Sequence, residues 1–265
     1  MTDDEPNIAA STPIRLDAAL FQRGLSRSRS HAAQLLKAGA VLVNNEVERK
    51  ASRLVGDRDE LAVTSDEQWV SRAALKLVAA LDAFGIDPAG RVALDVGAST
   101  GGFSQVLVSR DAATVLAIDV GHNQLATVLR SEPRIRLAEG INARELTQQE
   151  LIDLFGAVAG EISLVVVDVS FISLRQVLPA LVQSAPQAEF VVLIKPQFEV
   201  GRGGIRDGVV VDDAKREAAI EAVLTAAGDL GLAVIALEAS PITGEAGNHE
   251  VLAHLRPSVG ASPAE

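Results

Sequence analysis

Two charged residues interrupt the most apolar stretches of this chain: Asp168 in LVVVDVSFISL and Lys195 in FVVLIKPQFE. An ionised side chain at the end of a buried strand is costly unless it is paired or put to use. In open α/β sheets, ligands bind outside the carboxyl ends of the strands, where both residues fall. Arginine outnumbers lysine 19 to 5, yet Lys76 in WVSRAALKL and Lys195 both keep lysine inside motif-like segments. Lysine can give up its proton in a site that opposes its charge, and arginine effectively cannot. Glu250, after GEAGN at the start of the last apolar run, brings a further carboxylate towards the same edge. Such a set suits proton removal from, or charge stabilisation on, an attacking oxygen. Structural salt bridges are the competing reading for each residue taken alone.

A second constellation lies in VALDVGASTGGF, residues 92–103. Asp95 ends a strand, Gly97, Ser99, Thr100, Gly101 and Gly102 form a turn, and Phe103 enters a helix. The glycines allow close backbone approach to a ligand, and the helix start offers free N–H groups. The spacing departs from the G-x-G-x-x-G pattern that cradles a pyrophosphate. An acid followed by this turn suits S-adenosylmethionine better. Asp119 ends the next strand, where an acid meets ribose hydroxyls in doubly wound sheets, and Asn142 after the third strand is placed for the adenine edge. The four histidines lie far apart, and His122, His249 and His254 are expected to make local hydrogen bonds; no metal site is expected.

These positions need a scaffold. From Arg91 onward VALDV, VLAID, IRLAE, ISLVVVDV, FVVLIK and LAVIAL alternate with helix-length stretches, which predicts an α/β doubly wound, mostly parallel sheet covered on both faces. HEVLAHL follows its predecessor across a short glycine-containing loop and is expected to pair antiparallel as the last strand. Before the sheet, a helix from Ser71 with Ala74, Leu75, Val78 and Leu81 on one face ends at Gly85. Earlier still, residues 14–64 read as a small α+β module. Two helices, the second capped by Ser26 or Ser28 and ended by Gly39, precede a hairpin through Asn44-Asn45 and a further strand in DELAV. Residues 1–13 and 259–265 read as tails, 65–70 as a linker and 71–258 as the larger domain.

Charge divides the chain in the same way. The net charge is −11, but residues 14–58 carry nine Lys/Arg against four Asp/Glu, whereas residues 59–265 carry 15 against 28. A basic module on an acidic body fits a dedicated polyanion binder, with Arg15, Arg23, Arg27, Arg29 and Lys37 as phosphate contacts. A solvated helix face is the alternative. Aromatics are scarce at 3%, so base stacking is expected to contribute little to recognition of such a polyanion. The absence of cysteine excludes disulfides, thiol catalysis and cysteine-based metal centres. No apolar run reaches the roughly 18 residues a membrane helix needs, and the acidic start is unlike a signal peptide, so a cytoplasmic, soluble chain is expected; its oligomeric state is left open, a monomer being favoured.

Taken together, DVGASTGGF, DVSFISL, IKPQFEVG and GNHE, preceded by WVSRAALKL and a basic module, resemble the TlyA family, often labelled haemolysins. The resemblance spans residues 14–256. It implies an alpha-L (S-four) RNA-binding domain followed by a Rossmann-like FtsJ/RrmJ-type methyltransferase domain, with S-adenosylmethionine as cofactor and ribosomal RNA or ribosomal subunits as partner. The implied reaction is 2′-O-methylation of cytidine. The family's Lys–Asp–Lys–Glu tetrad falls on Lys76, Asp168, Lys195 and Glu250. Two positions depart from the family pattern: Ala73 stands where glycine is usual, and Glu67 stands where actinobacterial relatives carry a linker arginine ahead of Trp69 and Val70. A non-catalytic ribosome-assembly factor, a membrane-active toxin and a base methyltransferase are the rival readings.

Overall fold

The computed structural model describes residues 13–26, 28–44, 46–63, 69–201, 204–244 and 246–258; Arg27, Asn45, Glu67 and both expected tails, apart from Pro13 of the first, lie outside the described residues. The chain divides into two units, Met1–Gln68 and Trp69–Glu265.

In the first unit, β1 (Ile14–Arg15) leads into α1 (Leu16–Gln22), then α2 (Arg29–Ala38), β2 (Val41–Val43), β3 (Glu46–Glu48), β4 (Leu54–Val55) and β5 (Leu61–Val63). Ser28 is the residue that caps α2, its hydroxyl accepting from His31 N at 3.1 Å, and Gly39 in the left-handed region ends it. Ala32, Leu35 and Leu36, at helical spacing, pack on Leu16 and Leu20 of α1 and on Val41 and Val43. β2 pairs antiparallel with β3 and β5, and β1 with β4.

The second unit runs α3 (Ala73–Phe84), β6 (Val92–Val96), α4 (Gly102–Ser109), β7 (Thr114–Asp119), β8 (Ile135–Glu139), α5 (Gln148–Phe155), β9 (Ile162–Val167), α6 (Leu174–Ser184), β10 (Glu189–Ile194), α7 (Pro196–Glu199), α8 (Asp213–Asp229), β11 (Leu232–Ala239) and β12 (Val251–Pro257). Its seven-stranded sheet has the order β11-β12-β10-β9-β6-β7-β8. The five strands from β8 to β10 are parallel, and β12 inserts antiparallel between β10 and β11. Alternate residues feed opposite faces, as a pleated strand requires. Leu94, Val165, Val167 and Val192 pack beneath α5, α6 and α8, while Ala93, Leu164, Val166 and Val191 pack beneath α3 and α4. Each leucine or valine side chain so removed from water contributes about 1.5–3 kcal/mol, which makes this double layer the main source of stability.

Two expectations need correction. The sheet is not covered throughout: Val234, Ile235 and Leu237 of the edge strand β11 are exposed, and the register with β12 shifts between Val234 and Ala236. The face of α3 is also rotated, with Leu77 fully buried and Leu75 exposed. Turning Leu77 inward carries Lys76 into the interior beside it, where it finds Glu250.

Candidate active site

β6 ends against the strand that delivers Asp168. Gly97 has φ +86°, and a Cβ there would lie 2.5 Å from the Asp168 carbonyl oxygen. Only glycine accepts both the backbone angle and the contact. Asp168 N donates to Val96 O at 3.0 Å, which seals the two strand ends together. Gly102, at the start of α4, faces the Ser71 hydroxyl where a side chain would stand, and so lets the start of α3 approach. Gly101 caps α4 at φ +93°, the Thr100 carbonyl accepts from Ala126 N at 3.1 Å, and Phe103 is packed into the core.

Asp119 links this turn to the next. Its carboxylate accepts from Ser99 N at 2.7 Å and Gly121 N at 2.6 Å, while Ser99 Oγ bonds Gln124 at 3.1 Å. Ser99 takes φ +47°, a conformation uncommon for a residue with a side chain. Asn142 is exposed and spends its amide locally, donating to Glu145 at 2.9 Å and accepting from Arg144 N at 3.2 Å.

Asp95 is fully buried beneath the turn. One oxygen accepts from Ser104 Oγ at 2.6 Å, and the other has no hydrogen-bond partner among the described residues. Burial pushes its pKa up to about 7; the Ser104 hydroxyl opposes the rise, and the nearby Asp168 and Asp119 charges add to it. A buried acceptor with nothing to accept marks a place where a ligand donor or cation fits.

Lys76 on α3 and Asp168, Lys195 and Glu250 at the ends of three adjacent strands form two ion pairs. Lys195 Nζ lies 2.6 Å from Asp168 Oδ1 and donates to Ser170 Oγ at 2.8 Å. The 2.6 Å approach to Asp168 is an ion pair without hydrogen-bond alignment, which leaves that oxygen open as an acceptor. Lys76 Nζ donates to Glu250 Oε2 at 2.6 Å, and Gln197 Nε2 donates to Glu250 Oε1 at 3.3 Å. Sheet register explains the convergence. Ile194 pairs with Val251, so Lys195 just beyond β10 and Glu250 just before β12 fall at the same end of the strand pair. Asp168 leaves the neighbouring β9 at the same edge.

Four residues here escaped the reading of the sequence: Ser170, Gln197, Phe171 and Phe198. Phe171 is 91% exposed at φ +64°, its ring 5.3 Å from that of Phe198, over which Lys195 Nζ stands 6.0 Å from the centroid. With seven phenylalanines and one tryptophan in the chain, an aromatic directly after Asp-Val-Ser was the available signal.

The basic residues of the first unit divide by what they hold. Arg15 and Arg29 both bond the Asp17 carboxylate, each at 3.0 Å. Arg15, helped by Arg29 and against some burial, holds that carboxyl below its ordinary range. Arg23 donates to Gly56 O and Asp59 O, both at 2.7 Å, so its guanidinium ties chain segments together. Lys37 is exposed. Arg27 lies outside the described residues. Among the described residues, no group of His, Cys, Asp or Glu is arranged to hold a metal, and no helix is long and apolar enough to cross a membrane.

Comparison with known proteins follows these divisions. The FtsJ-like methyltransferase family matches residues 69–256, and the S4 domain family matches residues 14–61. The 16S/23S rRNA (cytidine-2′-O)-methyltransferase TlyA of Mycobacterium tuberculosis is 48% identical, over 91% of this chain and 89% of that protein. Hemolysin A of Brachyspira hyodysenteriae is 38% identical, over 91% and 99%. Among solved structures, a hemolysin-type protein from Streptococcus thermophilus superposes with TM-score 0.71 at 37% identity, covering 93% of this chain and 89% of its own. With one family spanning the sheet and its tetrad, the other spanning the basic module, and a 48% identical relative across nearly the whole length, the chain belongs to the TlyA family of FtsJ-like methyltransferases.

Proposed function

We propose that the chain transfers a methyl group from S-adenosylmethionine to the ribose 2′-oxygen of cytidine in 16S and 23S ribosomal RNA. Residues 14–64 serve as the RNA-binding domain, 65–70 as the linker and 71–258 as the catalytic domain. The observation that carries this reading is the pair of lysine–carboxylate contacts at one sheet edge, with Asp168 sealed against Gly97 of the glycine turn.

The turn fits the cofactor. Asp95 and Asp168 each keep a carboxylate oxygen without a hydrogen-bond partner among the described residues, matched to a ligand that carries an ammonium and a sulfonium. Gly97, Ser99, Thr100, Gly101 and Gly102 would hold its amino-acid portion, with Asp119 at the ribose and Asn142 towards the adenine. When bound, the cofactor supplies a methyl group already activated by its sulfonium. The protein aligns the acceptor oxygen and raises its nucleophilicity.

Lys195 meets the 2′-oxygen. Ser170 takes one of its three hydrogen-bonding directions, and Asp168 crowds a second as an ion-pair partner. The third points a lone pair at the hydroxyl proton if the amine is neutral, or an N–H at the developing alkoxide if it is charged. Arg15, Arg29 and Lys37 supply phosphate contacts.

Incubating the protein with isotope-labelled S-adenosylmethionine and ribosomal subunits lacking the modification, then mapping ribose methylation, tests the reading. Label at the 2′-oxygen of a cytidine is the expected result. Label on a base atom would overturn the 2′-O assignment, and no incorporation would favour a non-catalytic assembly factor.

A further inference from the structure

Asn248 is 3% exposed, and its amide is spent on a different loop. Its Oδ1 accepts from Val210 N at 3.0 Å, and its Nδ2 donates to Gly208 O at 2.7 Å. Its own carbonyl accepts from Gly244 N at 2.9 Å, so the side chain is anchored from behind. Across the contact, Arg206 and Val209 exchange backbone hydrogen bonds of 2.9 Å in both directions. Asp207 and Gly208 between them take φ +51° and +83°, the positive angles a tight hairpin turn demands. Residues 206–209 are therefore a small hairpin bonded to the loop that delivers Glu250 two residues later.

The hairpin presents one cation. Arg206 is exposed and makes no ion pair or side-chain hydrogen bond among the described residues, with Asp207 included. The neighbouring acids are committed elsewhere: Asp212 caps α8, and Asp213 pairs with Arg216 at 2.8 Å. An unspent guanidinium beside a catalytic edge is suited to a phosphate oxygen.

We propose that Asn248 is a positioning residue for the RNA: it latches the hairpin beside Glu250, so that Arg206 contacts a backbone phosphate of the strand carrying the target nucleotide. This rests on the RNA-methylation reading above. Asn248 acts through Arg206 and touches no reacting atom.

The test is a double-mutant cycle on methyl transfer to ribosomal subunits, with kcat and KM separated. Arg206→Ala is expected to raise KM for RNA about tenfold, with kcat and cofactor affinity unchanged, and to lower the slope of log affinity against log salt by about 0.7–0.9, the value of one phosphate contact. Asn248→Ala should raise KM similarly and expose the Val210 amide to hydrogen exchange. The double variant should be no worse than either single one, because both remove the same contact. Arg206→Ala is a surface change that leaves folding intact, so its KM and salt slope decide the matter even if Asn248→Ala unfolds. An unchanged KM in Arg206→Ala, a kcat defect without a KM defect in Asn248→Ala, or additive losses would each overturn the latch. Transfer by the parent protein in the same assay separates such an outcome from failure of the methylation reading, in which the parent itself transfers nothing.

Discussion

Lys76 and Glu250 stand 174 residues apart in the chain and meet at 2.6 Å in the interior, with 10% and 2% of their side chains exposed. Two opposite charges taken out of water are tolerated because each neutralises the other. Lys76→Ala is therefore expected to destabilise the protein by about 3–5 kcal/mol, since it leaves a buried carboxylate uncompensated. Replacing both, as Lys76→Met with Glu250→Leu, should recover most of that loss in urea denaturation while methyl transfer stays absent. Transfer by the double variant would show the pair to be structural only.

Lys195 is expected to be indispensable to the chemistry and dispensable to cofactor binding. Lys195→Ala should cut turnover by about 10²–10⁴-fold, the usual weight of a proton-handling group, while calorimetric titration with S-adenosylmethionine is nearly unchanged. Lys195→Arg should not restore activity, because arginine keeps its proton and presents a wider fork. Ser170→Ala, which removes the hydroxyl that accepts from Lys195, should lower kcat and move the pH–rate profile with little effect on KM. Substantial turnover in Lys195→Ala would end its assignment.

Two carboxylates should pull stability in opposite directions with pH. Asp95 titrates at about 7 when folded against 3.8 ordinarily. Between those values the folded chain holds a proton that the unfolded chain has released, so this group's contribution falls as pH rises through about 7. Asp95→Asn should flatten the stability curve across that window. Glu189 behaves oppositely. Burial resists its ionisation, but hydrogen bonds from Arg91, His254 and Arg256 prevail and lower its pKa below 4.5. Its contribution is present above that value and lost as pH falls through the folded pKa, so Glu189→Gln should remove part of the acid-side decline. Urea titrations at a series of pH values measure both.

Arg23 and Arg29 should separate folding from RNA binding. Arg23→Ala removes two bonds to main-chain carbonyls and is expected to lower the melting temperature of the first unit. Arg29→Ala should leave melting nearly unchanged and reduce the salt dependence of RNA binding by about 0.7–0.9, one phosphate contact. The reverse pattern would exchange their roles.

The alternation of apolar runs with helix-length stretches was enough to read a doubly wound sheet after a small α+β module, because period-two and helical patterns depend on each residue and its near neighbours. Asp168 and Lys195 were legible for a related reason: a charge stands out against an uncharged strand. Glu250 and Lys76 carried weaker signals, since an acid at a strand start or a lysine on a helix is ordinary. Their partnership depends on β12 entering between β10 and β11 and on the rotation of α3 that buries Leu77 and exposes Leu75. Ser170, Gln197 and Asn248 stood within DVSFISL, IKPQFEVG and GNHE without a legible role, because a neutral polar residue in a loop gains meaning only from what folds against it. Asn142 stands at the expected strand end, and its bonds to Glu145 and Arg144 are likewise visible only in the folded chain. The chain alone set which residues form the strands and where charge interrupts them, a matter of local pattern; which charges meet was decided by strand order and register, which bring together groups remote in sequence.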